Sequence, residues 1–416
     1  MGEETKKHIL FASKTSQDSR KADAFDQASV DAFGNPTHQE PVTFSKPGDL
    51  KIYDENTKEL SETGKTLAKN YDDPLWDSLL DQVSLTEAKN MINNAHPRVS
   101  RIPSIGLPTL NNYDGPAQIG SFTSKTLRGT GFPCNTVLAQ TWNKTLAYEQ
   151  GLSMGSNMES HGLSGYYGTA INMHRSPFAG RNYEYFSEDP VLTGDLATMC
   201  VKAVRDSGKI SFVKHFAVAE TETSRDSLYT WLTEQTLREI YLEPFRRVVI
   251  DGNANGMMTS YNRVGALWAG GSQALMNGIL RKEWGFDGAV ITDYSDNNCY
   301  MNMDETLRAG GDLGMAVSLK LPINSSSSNR LLYQVREAVH HVAFAFVDSK
   351  LALVKFNENP YGGQVITSAN TKNSFDCVTP VIIDINIAFS VFALCSLYFG
   401  VLDGIGLNIT LRKKED

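Results

Sequence analysis

The sequence lacks the features that mark several common classes of protein. Its formal net charge is −8, and its lysines and arginines are scattered instead of forming a stripe, so nucleic acid is not expected as a partner. Its five cysteines include no pair at CxxC spacing and no neighbouring histidine, so no disulfide framework, metal site or cofactor is predicted. The apolar run at residues 9–12 is shorter than the core of a signal peptide, about 7–15 residues.

The remaining composition is that of a globular protein. The 416 residues are 41% hydrophobic and 21% charged, which is enough to bury at least one substantial core. Residues 1–70 are polar and show no sustained period, so we expect an extended or partly disordered lead-in. From Asp72 onward an apolar stripe predicts a helix, with Trp76, Leu79, Leu80, Val83 and Leu85 on one face.

Between about residues 105 and 320, short apolar runs alternate with amphipathic stretches such as 233–252. Polar residues follow each run, at 106–116, 168–177, 209–218, 256–263 and 288–296. Strand–helix repetition predicts a parallel sheet in an α/β fold, with functional residues at the strand ends. A (β/α)₈ TIM-like barrel is favoured over an open doubly wound sheet, because no GxGxxG follows the first strand.

The C-terminal region contains an apolar segment of different character. Residues 380–402 are long enough to cross a bilayer of about 30 Å, so a membrane anchor is predicted, although Asp384 and Asn386 weaken it. The basic residues Arg412, Lys413 and Lys414 would then place the barrel outside the cytoplasm. The alternative is a buried helix or strand pair, with the protein in the cytoplasm.

The residues 172–194 form the most specific stretch of the chain, NMHRSPFAGRNYEYFSEDPVLTG. Arg175 and Arg181 within it could each hold hydroxyls or a carboxylate by forked hydrogen bonds, or could pair with nearby carboxylates to brace the loop. Lys214 and His215 end the run ISFV. For this pair a salt bridge, a catalytic role and a Schiff-base lysine all remain open.

Two aspartates follow apolar runs directly. Asp293 comes after AVIT, at the predicted mouth of a buried strand, where it is either functional or the N-cap of the next segment. Asp114 has the same placement, but its sequence NNYDGP is also that of an ordinary turn.

Several motifs in fixed order resemble glycoside hydrolase family 3. They are YDGP, the HRSP–GRN–EY–SEDP block, KHFA followed by ETxR, SYNR, and EWGFDG leading into VITDY. The resemblance implies a family barrel over residues 71–348, then a linker (349–379), the apolar segment (380–402) and a short tail (403–416).

The resemblance also implies a function and a set of site residues. The expected activity is retaining hydrolysis of terminal β-D-glycosyl residues of oligosaccharides or glycosides, with Asp293 as nucleophile. Hydroxyls of the terminal sugar would be held by Asp114, Arg181, Lys214, His215 and Tyr261. The sequence KHFAVAETETSR favours the β-glucosidase or β-xylosidase branch over the N-acetylglucosaminidase branch, whose loop is KHFPGHG-like.

The general acid that retaining hydrolysis requires cannot be assigned. In the glucosidase branch it usually comes from an α/β sandwich domain, and circularly permuted relatives carry that domain before the barrel. A partner chain could supply it, and Glu220 or Glu222 are the nearest substitutes in sequence. A sugar-binding pseudoenzyme, a truncated fragment and a lysine-dependent aldolase are the alternatives.

Overall fold

A computed structural model of the chain describes residues 40–93, 95–120, 128–295, 300–316, 323 and 325–349. The strands in this part are β1 (Tyr53–Asp54), β2 (Glu59–Leu60), β3 (Arg98–Val99), β4 (Leu110–Asp114), β5 (Gly165–Tyr167), β6 (Ile210–Phe216), β7 (Tyr229–Thr230), β8 (Gly256–Thr259), β9 (Arg263–Val264), β10 (Leu267–Trp268) and β11 (Ala289–Ile291).

The α-helices of the described residues lie between and after these strands. They are α1 (Glu62–Leu67), α2 (Leu75–Leu80), α3 (Leu85–Asn93), α4 (Asn135–Gln140), α5 (Lys144–Ser160), α6 (Pro190–Asp206), α7 (Glu234–Thr236), α8 (Glu243–Ile250), α9 (Met303–Ala309) and α10 (Asn329–Asp348). Two π-helical segments occupy Leu237–Tyr241 and Ala274–Glu283. Short 3₁₀ turns lie at Pro103–Ile105, Asn182–Glu184, Arg225–Ser227 and Ala269–Gly271.

A six-stranded sheet forms the centre of the fold, in the order β11–β8–β6–β5–β4–β3. The five strands from β4 to β11 are parallel, and helices separate them along the chain. Every residue of β6, β8 and β11 is buried, as expected where a parallel sheet is covered on both faces. The prediction of a TIM-barrel-like α/β fold is confirmed at this level.

Backbone hydrogen bonds continue beyond β11 and return to the start of the sheet. Leu313 forms a parallel bridge with Ile291. The next residue, Gly314, donates to the carbonyl of Ile92 at 2.8 Å and accepts from the amide of Ala95 at 3.0 Å. The sheet therefore curls toward the segment that immediately precedes β3.

The described sheet differs from a regular eightfold repeat in two places. β3 pairs antiparallel with β4, because only residues 100–109 connect them and a parallel crossover needs a dozen residues or more. The run 168–177 was expected to contain a strand, but β5 ends at Tyr167 and only Ala170 continues the ladder, through a bridge to Lys214.

Two of the predicted helices are interrupted. The stripe after Asp72 is divided between α2 and α3 because Ser84 and Glu87 form a capping box that starts a new helix: the Ser84 amide donates to the Glu87 carboxylate at 2.9 Å, and the Glu87 amide donates to Oγ of Ser84 at 3.2 Å. In 233–252, Pro244 lacks the amide that would continue regular pairing, and the π segment Leu237–Tyr241 precedes α8.

The segment 50–67, predicted as part of a partly disordered lead-in, is ordered and packed in the structure. It forms β1, β2 and α1, and buries Ile52, Leu60 and Leu67 in the main hydrophobic core. These apolar residues are too widely spaced to produce a recognisable period, so their burial depends on the surface against which they pack. Residues 1–39 lie outside the described part of the chain.

The prediction of a transmembrane helix is corrected by the structure. Within the residues that the structure describes, no helix combines the length and apolar character needed to cross a membrane. The segment 380–402, like the linker beyond Ser349 and the tail 403–416, lies outside the described residues.

We expect Leu67→Ala to lower the free energy of unfolding by about 2–5 kcal/mol, because it removes a fully buried side chain and leaves a cavity. Urea unfolding followed by circular dichroism measures the change. Lys69→Ala, at an exposed position two residues further on, is the matched control and should stay within about 0.5 kcal/mol of the wild type. Equal, small effects of both substitutions would show that this segment does not belong to the folded core.

Candidate active site

Most of the predicted site residues lie at the carboxyl ends of neighbouring strands. Because β4, β6, β8 and β11 belong to one sheet and are parallel, their carboxyl ends meet at the same edge. That edge carries Asp114 at the end of β4, Lys214 and His215 near the end of β6, Tyr261 just after β8, and Asp293 just after β11. Arg181 reaches the same place from the loop between β5 and α6.

Lys214 and Asp114 form a charged pair at this edge. The Lys214 Nζ donates to Oδ1 of Asp114 at 3.0 Å, and the lysine side chain is only 5% exposed. Burial acts to raise the pKa of Asp114, but the charge and hydrogen bond of Lys214 outweigh burial, so the pKa is lowered. The pair therefore presents an ionised carboxylate beside a hydrogen-bond donor.

Arg181 connects three parts of the site. Its Nε donates to Oε1 of Glu184, its NH2 donates to Nε2 of His215 at 2.9 Å, and its NH1 lies 3.7 Å from Oε1 of Glu222. The two interpretations of Arg181, loop bracing and ligand binding, are thus compatible. Glu184 and Glu222 hold the guanidinium, which also contacts His215 near the carboxyl end of β6.

His215 is buried and held in its neutral form. Burial, followed by the charges of Arg181 and Lys214, places its pKa well below the usual value. A guanidinium can only donate, so Nε2 accepts from Arg181 and the ring proton lies on Nδ1, which is 3.3 Å from the Tyr185 hydroxyl. The 3.6 Å approach of Nε2 to Oδ2 of Asp293 is therefore not an ion pair.

Asp293 is a buried carboxylate, 9% exposed as a residue. Its Oδ1 accepts from the amide of Tyr294 at 2.8 Å, while its Oδ2 has no hydrogen-bond partner among the described residues. Burial raises the pKa of Asp293, and the charge of Arg181, the Tyr294 hydrogen bond and the charge of Lys214 oppose the rise. The nearby cations thus favour the ionised form of Asp293, but burial outweighs them.

Tyr261 faces the same carboxylate from the loop after β8. Burial and the charge of Asp293 raise the pKa of Tyr261, so its phenol remains a hydrogen-bond donor. The guanidinium of Arg225 lies 4.2 Å from the centre of the Tyr261 ring, and Arg225 NH1 donates to Glu222 at 2.8 Å. Arg225 was not predicted as a site residue, although the ETxR motif contains both members of this pair.

The two substitutes considered for the general acid occupy different surroundings. Glu222 pairs with Arg181 and Arg225 and so serves to position both. Glu220 is 3% exposed, its Oε1 accepts from Asn172 Nδ2 at 3.4 Å and from the Met173 amide at 3.3 Å, and burial raises its pKa to about 7. Neither carboxyl group has a recorded contact with Asp293.

The described residues offer no group of three or more histidine, cysteine, aspartate or glutamate side chains that could hold a metal ion. The side chains gathered at this edge of the sheet are carboxylates, hydrogen-bond donors and cations. Such a set suits the recognition of a polyhydroxylated ligand beside a carboxylate nucleophile.

Comparison with known proteins places the chain in a family. Residues 55–343, more than half of the chain, match the family model described as Glycosyl hydrolase family 3 N terminal domain. The chain belongs to glycoside hydrolase family 3. Its similarity to the family therefore extends over the whole sheet and all the site residues just described.

The chain is similar in sequence to proteins named beta-glucosidases. Beta-glucosidase A of Butyrivibrio fibrisolvens is 37% identical over 193 residues, 46% of this chain and 23% of that protein. A beta-glucosidase of Rhizobium radiobacter is 34% identical over 242 residues, 58% of this chain and 29% of that protein. The chain thus spans less than a third of the length of either relative.

Solved structures of proteins named beta-glucosidases resemble the fold. Beta-glucosidase 3B of Thermotoga neapolitana, in complex with α-D-glucose, superposes with a TM-score of 0.58 at 28% identity, over 66% of this chain and 42% of that one. A beta-glucosidase of Paenibacillus barengoltzii superposes with a TM-score of 0.62 at 27% identity, over 76% and 36%. The roles of individual residues in this family 3 chain remain predictions.

Glu220 should make stability depend on pH. Its pKa in the fold, about 7, exceeds its usual 4.5, so between these values the unfolded chain ionises first and the fold loses stability as pH rises. We expect Glu220→Gln to remove this loss, so that the variant's stability relative to the wild type increases by about 3 kcal/mol from pH 4.5 to pH 8. Urea midpoints across this pH range measure it, and a pH-independent difference would contradict it.

Proposed function

We propose that this chain carries the catalytic barrel of a retaining glycoside hydrolase that removes terminal non-reducing β-D-glucosyl residues. The supporting observation is the buried Asp293 carboxylate, whose Oδ2 accepts no hydrogen bond from the described residues and lies beside His215. Retaining hydrolysis needs such a carboxylate next to the anomeric carbon. The names of the relatives, all beta-glucosidases, favour glucose over xylose as the sugar.

In the proposed reaction Asp293 is the nucleophile. One carboxylate oxygen forms a bond to C1 of the sugar while the bond from C1 to the leaving oxygen breaks, and that oxygen takes a proton from a general acid. Water then attacks C1 of the glycosyl ester, gives up a proton to the conjugate base and releases Asp293. The cations around Asp293 favour its ionised form before attack.

The other residues of the site would hold the terminal sugar. The Lys214–Asp114 pair provides a donor and an acceptor 3.0 Å apart, a spacing suited to neighbouring hydroxyls of one ring. Arg181, His215 and Tyr261 surround Asp293 and would orient the sugar over it. The pairing of Lys214 with a carboxylate favours this binding role over the Schiff base of an aldolase.

The general acid is proposed to come from outside the described residues. Glu222 is paired with two arginines, and Glu220 is held by Asn172 and the backbone of Met173, so neither is offered for this role. An α/β sandwich domain, on the same polypeptide or on a partner chain, is the proposed source, consistent with the greater length of the relatives.

A sugar-binding protein without turnover is the second candidate. It is favoured by one observation: the recorded contacts of Asp293 within the described residues include no second carboxyl group. Such a protein would retain the hydroxyl-binding side chains and lack protonation of the leaving group.

We expect a 2,4-dinitrophenyl 2-deoxy-2-fluoro-β-D-glucoside to label Asp293 covalently, because its leaving group needs no acid and the fluorine slows release of the sugar. Intact-protein and peptide mass spectrometry locate the label. Asp293→Asn should remain unlabelled, whereas Glu222→Gln keeps the nucleophile and should still be labelled. A label on any other carboxylate would exclude Asp293 as nucleophile.

The dependence of hydrolysis on the leaving group distinguishes the two candidates. Without a general acid, this chain should hydrolyse 2,4-dinitrophenyl β-glucoside. Its kcat/KM for alkyl glucosides, whose leaving oxygen must be protonated, should be about 10²–10⁴-fold lower than with a general acid present. Measuring kcat/KM for both substrates, with glucose binding followed by calorimetry, checks this expectation. Glucose binding without hydrolysis of either substrate would favour the binding protein.

A further inference from the structure

Asn172 holds the backbone of His215 from both sides. Its Oδ1 accepts from the His215 amide at 2.7 Å, and its Nδ2 donates to the His215 carbonyl at 3.0 Å. Asn172 itself is fully buried. Because the backbone of His215 carries the imidazole that contacts Arg181 and Asp293, a displacement of Asn172 would shift that ring.

Glu220 reinforces the orientation of the Asn172 amide that its two hydrogen bonds to His215 require. Its Oε1 accepts from the same Nδ2 at 3.4 Å and from the Met173 amide at 3.3 Å. If the Asn172 amide were reversed, its oxygen would face both this carboxylate and the His215 carbonyl, and three acceptors would meet without a donor. The carboxyl of Glu220 thus maintains the orientation in which Asn172 can bind His215 at both positions.

The surroundings of Glu220 leave part of its carboxyl group unsatisfied. Its Oε2 is buried and has no hydrogen-bond partner within the described part of the chain. The charged and titratable groups that face it are Arg175 and Tyr185 from the loop between β5 and α6, and Tyr241 from the π segment before α8. Burial dominates over Arg175 and raises the pKa of Glu220 to about 7.

A hydrogen bond from Asn172 is stronger when its acceptor is ionised, because a charged acceptor attracts the donor more strongly at low local dielectric. Protonation of Glu220 weakens this bond and loosens the Asn172 amide. The protonation state of Glu220, which is not among the proposed sugar-binding residues, therefore affects the position of the His215 imidazole through Asn172.

We propose that Glu220 is a positioning residue that acts through Asn172 on His215, so that the site holds the sugar more tightly when Glu220 is ionised. This inference rests on the proposed function, since it concerns the same sugar site. It assigns to Glu220 a part in the pH response of the reaction and no contact with the substrate.

The test measures how fast 2,4-dinitrophenyl 2-deoxy-2-fluoro-β-D-glucoside labels Asp293 between pH 5.5 and pH 8.5. The wild type should show a second-order labelling rate that rises about three- to tenfold with a midpoint near pH 7. Glu220→Gln, which cannot ionise, should lack this rise and keep the low-pH rate throughout. Glu220→Asp retains an ionisable group and should restore part of the rise.

Glu337→Gln is the matched control. Glu337 is another carboxyl whose pKa is raised by burial, but it lies on α10, where its charged neighbours include His341, Arg281 and Arg336. Its variant should follow the wild-type pH profile. An unchanged pH rise in Glu220→Gln, or its loss in Glu337→Gln, would overturn the positioning role.

Equilibrium binding separates failure of this inference from failure of the proposed function. Calorimetry with glucose at pH 6 and pH 8 should show tighter binding at pH 8 in the wild type and equal binding in Glu220→Gln. A wild type that binds glucose with this difference but takes no label would sustain the positioning role and overturn the proposed hydrolysis. A wild type that neither binds glucose nor takes the label overturns both.

Discussion

The parallel pairing of β6 with β5 on one side and β8 on the other is the constraint on which the rest of the structure depends. All seven residues of β6 are buried, so this strand has neighbours on both edges and cover on both faces. Lys214 and His215, near its carboxyl end, lie at the same edge of the sheet as Asp114 at the end of β4 and Asp293 just after β11. The sheet that forms the core therefore also positions the residues of the candidate site, because it aligns the ends of four strands.

Buried charge is the second organising feature. Lys214, Arg181 and Arg225 meet the carboxylates of Asp114, Glu184 and Glu222 in direct pairs, whereas Asp293 accepts from the Tyr294 amide, interacts with the Tyr261 phenol and is attracted by the charge of Arg181. The three paired carboxylates thus hold cations in place, whereas Oδ2 of Asp293 has no hydrogen-bond partner among the described residues. This division favours Asp293, and not its paired neighbours, as the proposed nucleophile. Glu220 is likewise unsatisfied at one oxygen.

Sequence patterns predicted the elements well where the local signal and the tertiary environment agree. The apolar runs around β4, β6, β8 and β11 are strands, each followed by the polar residues that the pattern had placed at its end. The strand predicted in the run 168–177 is not found there. β5 ends at Tyr167, and in the loop that follows only Ala170 pairs with the sheet, through its bridge to Lys214. The helix of 233–252 was predicted without its π segment, since the effect of Pro244 on the preceding turn does not alter the apolar period.

The sequence by itself determined the family, most of the strands of the central sheet, and the residues that would gather at one edge of the sheet, because motifs and apolar periods are local properties of the chain. Only the tertiary structure decided which of these residues pair. Lys214 and Asp114 are 100 positions apart, and Arg181 reaches His215 across 34, so their contacts depend on how separate loops converge. Arg225 over Tyr261, and Asn172 with Glu220 behind His215, escaped prediction for the same reason: partners that meet through folding leave no signature in the spacing of either one.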